Sequence, residues 1–109
     1  MNAGPVEEGP RVVFTQSGGF AGLVKGCTLD AAAMAAPQRA EFERLVDGSG
    51  LSASCETRSP AARDRKQYSI AVTRGGVTVT VVCDDATLPP KARDLLAYLT
   101  ARALPVTPR

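Results

Sequence analysis

The chain has 109 residues and a mass of 11.3 kDa, which is enough for one domain. Hydrophobic residues make up 44% and charged residues 22%, a composition that is typical of a globular domain and argues against wholesale disorder. The net charge of +2 is too balanced to indicate nucleic-acid binding by itself, and the absence of histidine excludes Ser-His and Cys-His catalytic pairs and most catalytic zinc sites.

The sequence carries no membrane or secretory signal. No apolar run reaches the roughly 20 residues that span a bilayer, and residues 1–10 lack the basic and apolar regions of a signal peptide. The three cysteines, Cys27, Cys55 and Cys83, form no C-x-x-C pair, and their odd number leaves at least one thiol unpaired. We therefore expect reduced cysteines in a cytoplasmic protein, with residues 1–10 as a flexible leader.

The first predicted element is a loose hairpin over residues 11–30. Alternate positions on both sides of the string S-G-G-F-A-G are apolar, namely Val12, Phe14, Leu23, Cys27 and Leu29. Lys25 falls on the apolar side, which is typical of a strand at a sheet edge, where inward charges discourage aggregation.

Residues 31–47 are predicted to be helical. Pro37 suits a first helical turn, and Asp30 could cap a short turn ahead of it. The apolar side of this helix carries Phe42, Leu45 and Val46. Gly48 is expected just past the helix as its C′ residue.

Residues 48–66 are predicted to be polar and irregular. The basic cluster at 58–66 contains one acid in its charged core and has a single aromatic residue, Tyr68, just beyond it. Nucleic-acid binders usually interleave aromatic residues with a larger positive excess, so a solvated loop is the favoured interpretation. A nucleic-acid-binding hairpin over residues 58–74 is the less favoured one.

The clearest prediction is a β-hairpin over residues 67–84. Gly75-Gly76 fits a type I′ turn, since both glycines can adopt a positive φ. A two-residue loop fixes the register. The apolar face then pairs Val72 with Val79, Ile70 with Val81 and Tyr68 with Cys83, and the other face pairs Thr73 with Thr78 and Ala71 with Thr80.

Asp84-Asp85 ends this hairpin and precedes a predicted helix over residues 88–103. Adjacent carboxylates can bind a hard cation, but successive strand side chains point to opposite faces, so no metal site is expected. Asp85 or Thr87 is instead expected to cap the helix. The apolar face of this helix carries Ala92, Leu95, Leu96, Leu99 and Ala103, and its solvent face carries Lys91, Arg93, Asp94 and Arg102.

The element order is therefore ββαββα. Two hairpins with one apolar face each and two amphipathic helices predict an α+β domain over residues 11–104, in which a single antiparallel four-stranded sheet packs on two helices. Residues 105–109 are expected to be a flexible tail.

The glycine-rich segment at 17–22 is the most unusual part of the chain. It matches neither the Walker A loop nor G-x-G-x-x-G, so it is a weak phosphate site. Phe20 stands there among three glycines at the tip of the first hairpin. Either it folds back onto the sheet edge, or it is an anchor presented to a partner's pocket.

Three strings carry a resemblance to a known family. They are R-V-V-F-T-Q-S-G-G-F-A-G-L at 11–23, Q-Y-S-I-A-V-T-R-G-G-V-T-V-T-V at 67–81 and D-D-A-T-L-P-P-K-A-R-D-L-L-A-Y-L at 84–99. Together they resemble the emfourins, small bacterial inhibitors of protealysin-type, thermolysin-like zinc metalloproteases. The resemblance implies a cytoplasmic protein with a cystatin-like arrangement of sheet and helices, and one that supplies no zinc ligand and needs no cofactor.

With this resemblance, we expect the glycine-rich loop to enter the cleft of the protease, with Phe20 in the apolar pocket for the residue after the scissile bond. The loop residues in question are Ser17, Gly18, Gly19, Phe20, Ala21 and Gly22. Arg74, Gly75 and Gly76 form a second contact only if both hairpin turns lie at the same end of the sheet. We expect no catalytic residues, no nucleic-acid or membrane partner, and a monomer when free. A non-inhibitory interaction or accessory domain is the alternative.

Overall fold

The computed structural model describes residues 9–18, 24–51, 54–56, 66–84 and 86–105. These residues form six strands and two helices, with single turns of 3₁₀-helix at Ala31–Ala33 and Pro90–Ala92. The elements are β1 (Arg11–Ser17), β2 (Lys25–Asp30), α1 (Ala36–Gly48), β3 (Cys55–Glu56), β4 (Gln67–Arg74), β5 (Val77–Asp84), α2 (Arg93–Arg102) and β6 (Leu104–Pro105).

The strands form one sheet in the order β3-β5-β4-β1-β2-β6. Five of them pair antiparallel, and β3 pairs parallel to β5. The α+β class with one sheet and two helices agrees with the sequence, but the four-strand count and the cystatin-like arrangement are not matched exactly. The difference lies in β3 and β6, which extend the two edges of the sheet. Each has only two residues, too few to show the alternation by which strands are recognised.

The hairpin of β4 and β5 confirms the predicted register at all five pairs. Gly75 and Gly76 have φ values of +59° and +82°, as a type I′ turn requires. The face that was expected to be apolar is buried at Tyr68, Ile70 and Val72. Turn geometry and side-chain alternation therefore act together to fix this pairing.

The first hairpin lies deeper in the sheet than Lys25 suggested. β1 is paired on both sides, to β2 and β4, and Val12 and Phe14 are fully buried. β2 is the outermost of the long strands, and β6 pairs only with Lys25 and Gly26. The expectation that this hairpin lies at the sheet edge is therefore corrected. At Lys25, β6 covers β2 and forms the edge instead, and the Lys25 side chain is exposed.

Both helices pack on the same face of the sheet and complete one hydrophobic core. α1 contributes Phe42 and Val46, and α2 contributes Leu95, Tyr98 and Leu99. The solvent side of α2 is exposed as predicted. Each helix crosses the sheet. Helix α1 follows β2, and its Asp47 contacts Arg74 at the end of β4. Helix α2 follows β5 and leads into β6, which pairs with β2.

The end of α1 differs from the prediction. Gly48 is the last helical residue rather than C′, and Ser49 is the C-cap. Ser49 is completely buried, and its hydroxyl donates to the Val46 carbonyl at 2.7 Å. The left-handed glycine is Gly50, with φ of +75°. A buried serine that bonds back into the helix thus extends it by one residue.

Candidate functional site

The strand register places the two hairpin turns at opposite ends of the sheet. Ser17, where the glycine-rich segment begins, lies opposite Gln67, and Gln67 lies opposite Asp84. Arg74 lies at the other extreme of β4, beside the pair of Thr73 with Arg11. We call the end with Ser17 the loop end and the end with Gly75-Gly76 the turn end.

The seven residues of β1 separate these two ends by about 20 Å, given ~3.3 Å per residue. The condition for a joint contact is therefore not met: Arg74, Gly75 and Gly76 do not share an end of the sheet with the glycine-rich loop.

The base of the glycine-rich loop is held by the centre of the sheet. Ser17 ends β1 and is half-buried, and Gln16 is in register with Lys25 across the hairpin. Gly18 follows with φ of +93°, in the left-handed region that favours glycine. The chain thus leaves β1 through a conformation that a side chain would strain. Gly19, Phe20, Ala21 and Gly22 lie outside the described residues.

A second feature of the loop end is a turn over residues 84–88. The Asp84 side chain is fully buried, and its Oδ1 accepts from the amides of Ala86 at 2.8 Å and Thr87 at 3.0 Å, and from the Thr87 hydroxyl at 3.1 Å. The Asp84 amide in turn donates to Thr87 Oγ1 at 2.9 Å, and the Leu88 amide donates to the Asp84 carbonyl at 3.0 Å. This network makes a closed, rigid turn beside the start of β4.

The capping role expected for Thr87 needs correction. Asp84 and Thr87 cap the turn that they form themselves, whereas α2 begins only at Arg93 and has no side-chain cap at Ala92. Asp85 lies outside the described residues. The signal that could have identified the turn is an aspartate followed three residues later by a threonine, a spacing typical of side-chain-capped turns. Asp30 does cap its short turn as expected, accepting from the Ala32 amide at 3.0 Å.

The turn end carries a separate groove. Arg74 Nη2 donates to Asp47 Oδ1 at 2.7 Å and so ties the β4–β5 turn to the end of α1. A cavity of about 340 Å³ lies beside this ion pair. It is lined by Val46, Asp47, Gly50, Leu51, Val72, Arg74, Val77 and Val79. The groove combines aliphatic side chains with the charged groups of Asp47 and Arg74 and lies at the end of the sheet that is remote from Ser17.

The two thiols that the structure describes are not arranged as nucleophiles. Cys27 is partly buried, and Cys83 is buried. Burial raises the pKa of the Cys27 thiol, and the nearby Arg102 guanidinium opposes that rise. Cys27 Sγ donates to the Leu99 carbonyl at 3.7 Å. A thiol with a raised pKa holds its proton at neutral pH and is a poor nucleophile.

Within residues 9–18, 24–51, 54–56, 66–84 and 86–105, no group of three or more Cys, Asp or Glu side chains is placed to hold a metal ion. Neither helix in this part of the chain is long and apolar enough to cross a membrane. The loop end therefore offers shape, backbone and charge rather than a set of catalytic or ligating side chains among the described residues.

Comparison with known proteins gives one family match. The family model described as Emfourin matches residues 14–100, which is most of the chain and includes both the glycine-rich segment and the turn at 84–88. No curated protein and no solved structure matches the chain significantly.

Proposed function

The chain belongs to the emfourin family, and from that membership we propose that it is a protein inhibitor of a thermolysin-like zinc metalloprotease and has no enzymatic activity of its own. We further propose that the free inhibitor is a monomer and that it acts in the cytoplasm. An inhibitor of this kind needs a stiff scaffold, a protruding contact and no catalytic group. The sequence has no histidine, and the two described thiols are a buried one and one whose pKa is raised.

The observation that carries the proposal is the mounting of the glycine-rich segment on β1. That strand is paired on both sides, and its side chains Val12 and Phe14 are fully buried. A loop mounted on such a strand keeps its base in place, so less conformational entropy is lost when it binds. We assign residues 17–22 as the segment that enters the protease cleft, with Phe20 filling the apolar pocket for the residue after the scissile bond.

The second contact is assigned to the loop end rather than to the turn end. The turn at 84–88 lies two strands from Ser17, a distance of about 10 Å at ~4.8 Å per strand. Ala86 is exposed at this turn, and the hydrogen bonds of Asp84 hold its backbone. A cleft that receives the glycine-rich loop is therefore also within reach of this turn, whereas Arg74, Gly75 and Gly76 are about 20 Å away along the strands.

The test is inhibition of peptide cleavage by a panel of thermolysin-like proteases at micromolar inhibitor. Phe20→Ala is expected to weaken inhibition by tens to hundreds-fold, because truncating a central aromatic anchor costs about 2–4 kcal/mol. Val77→Ala is the matched control, since Val77 is 65% exposed at the turn end and also loses apolar surface. It is expected to inhibit like the wild type.

Three outcomes separate the alternatives. If Phe20→Ala and Val77→Ala inhibit equally well, the anchor assignment is wrong while inhibition stands. If Val77→Ala alone loses inhibition, the contact lies at the turn end. If the wild-type chain slows no protease in the panel, the chain is a non-inhibitory interaction domain.

A further inference from the structure

Four cations of the turn end and of α1 lie beside acids, whereas Lys91, next to Gly50, has no described acidic partner. The ion pairs are Arg39 with Glu43 at 3.1 Å, Arg44 with Glu41 at 4.0 Å and Arg74 with Asp47 at 2.7 Å. Arg11, which begins β1, and Asp30, which ends β2, are also opposite each other in the strand register. This half of the surface therefore has little net charge to attract a charged partner.

The cations of the loop end are different. Lys25 and Lys66 are both exposed, and the side chain of neither forms a hydrogen bond or an ion pair with another described residue. Lys25 is in register with Gln16, and Lys66 directly precedes Gln67, which is in register with Ser17. β1 lies between them, so the two lysines flank the base of the glycine-rich loop at a backbone separation of about 12 Å.

A third cation reinforces this positive side. Arg102 lies near Cys27, which is two residues from Lys25. Burial raises the pKa of the Cys27 thiol, and the positive charge of Arg102 opposes that rise. Its guanidinium stacks 3.6 Å from the centroid of the Tyr98 ring, and its Nη1 donates to the Tyr98 carbonyl. These contacts hold the guanidinium in place without cancelling its charge.

The carboxylates described near the loop end do not offset these cations. Asp84 is fully buried, and its Oδ1 is bonded within its own turn. Asp94 is exposed but lies in the first turn of α2, which is about 12 Å along the helix from Arg102 at 1.5 Å per residue. Glu56 is exposed on β3, but it lies three strands from β1, or about 14 Å at ~4.8 Å per strand, so the described charge nearest the loop base is positive.

We infer that the surface of the target protease around the cleft that receives the glycine-rich loop is acidic, and that Lys25 and Lys66 steer the inhibitor onto it. The inference rests on the proposed function and adds the charge of the partner. Unpaired rim cations that face carboxylates accelerate association strongly at low ionic strength, whereas they change dissociation little.

The experiment measures association and dissociation rates from inhibition progress curves, at 20 mM and 500 mM NaCl. Lys25→Glu and Lys66→Glu are each expected to lower the association rate about 3- to 10-fold at 20 mM salt and to leave the dissociation rate nearly unchanged. Arg44→Glu is the matched control, because it changes the net charge equally on an exposed side chain of α1. It is expected to change the association rate less than about twofold.

The wild-type association rate is expected to fall at least tenfold between the two salt concentrations, because screening shortens the range of the attraction. Lys25→Gln and Lys66→Gln remove the positive charge without reversing it and are expected to give intermediate association rates. They still test the inference if a glutamate variant fails to fold. Equal association rates for all variants, with inhibition intact, would overturn the inference and leave the proposed function standing.

Two further outcomes also decide the matter. Absence of inhibition by the wild-type chain would remove the proposed function and the inference with it. Salt-dependent retention of the wild type on single-stranded DNA that Lys25→Glu and Lys66→Glu abolish, together with unchanged inhibition rates, would assign the two lysines to a nucleic acid and contradict an acidic protease surface.

Discussion

Replacing Asp84 tests whether the turn at 84–88 is a rigid part of the loop end. The carboxylate is completely buried at the end of β5 and accepts three hydrogen bonds through Oδ1. Asp84→Ala removes all three acceptor contacts at once. Asp84→Asn keeps an oxygen in the same place but removes the negative charge.

The magnitude follows from the partners that each variant leaves behind. Hydrogen bonds to a charged acceptor are worth about 1.5–3 kcal/mol each. Two of the three donors have other options, because the Thr87 amide also donates to the Asp84 carbonyl and Ala86 is exposed to water. We therefore expect a loss of about 3 kcal/mol for Asp84→Ala, and of about 1 to 2 kcal/mol for Asp84→Asn, whose neutral oxygen accepts more weakly.

The assay is equilibrium unfolding in urea followed by far-ultraviolet circular dichroism. The control is Asp94→Ala, since Asp94 is an exposed carboxylate on α2 and its loss is expected to cost no more than about 0.5 kcal/mol. A shift of 1 kcal/mol changes the melting temperature of a domain of this size by about 4–8 °C, so Asp84→Ala should melt at least 10 °C lower. A loss below about 1 kcal/mol for Asp84→Ala, or an equal loss for Asp94→Ala, would refute the role given to this turn.

Three further substitutions test the packing of the sheet and the stability of the two helices. An alanine at position 26 would place its Cβ 2.6 Å from the Phe14 carbonyl oxygen, so Gly26→Ala is expected to lower the free energy of unfolding in urea by about 2 kcal/mol. A Cβ at Gly48 would meet nothing within 4 Å, so Gly48→Ala is expected to stabilise α1 by about 0.5–1 kcal/mol. An equal response at both sites would contradict the close approach of β2 to β1. The Tyr98 hydroxyl is buried and has no hydrogen-bond partner among the described residues. Tyr98→Phe is therefore expected to raise the free energy of unfolding by about 1 kcal/mol, and a loss of stability would show that the hydroxyl is bonded.

Local rules predicted the elements whose geometry is local. The hairpin of β4 and β5 was predicted to the residue because Gly75 and Gly76 permit only a narrow set of turns, and a two-residue turn leaves one register. The start of the turn before α1 was predicted by the same kind of reasoning, since Asp30 bonds an amide only two residues away.

Pairing between distant segments could not be predicted in this way. Which hairpin strands lie side by side depends on contacts between β1 and β4, some 55 residues apart, and no turn between them fixes that choice. The position of Ser17 relative to Arg74 follows from that pairing, and the sequence alone does not determine it. The strands β3 and β6 could not be predicted from the sequence, because a two-residue strand forms only where a neighbouring strand is present to pair with it.

The pairing of β1 also determines how firmly the glycine-rich loop is presented. Strand β1 has seven residue pairs to β4 and six to β2, so movement of Gln16, the last residue paired on both sides, requires both ladders to open. A loop on an edge strand could peel away with one ladder, and local opening of that kind exposes backbone to proteases. An inhibitor that enters a protease cleft must resist being cleaved there. For the proposed inhibitor, the pairing of β1 on both sides meets that requirement, and the buried side chains of Val12 and Phe14 oppose the same motion.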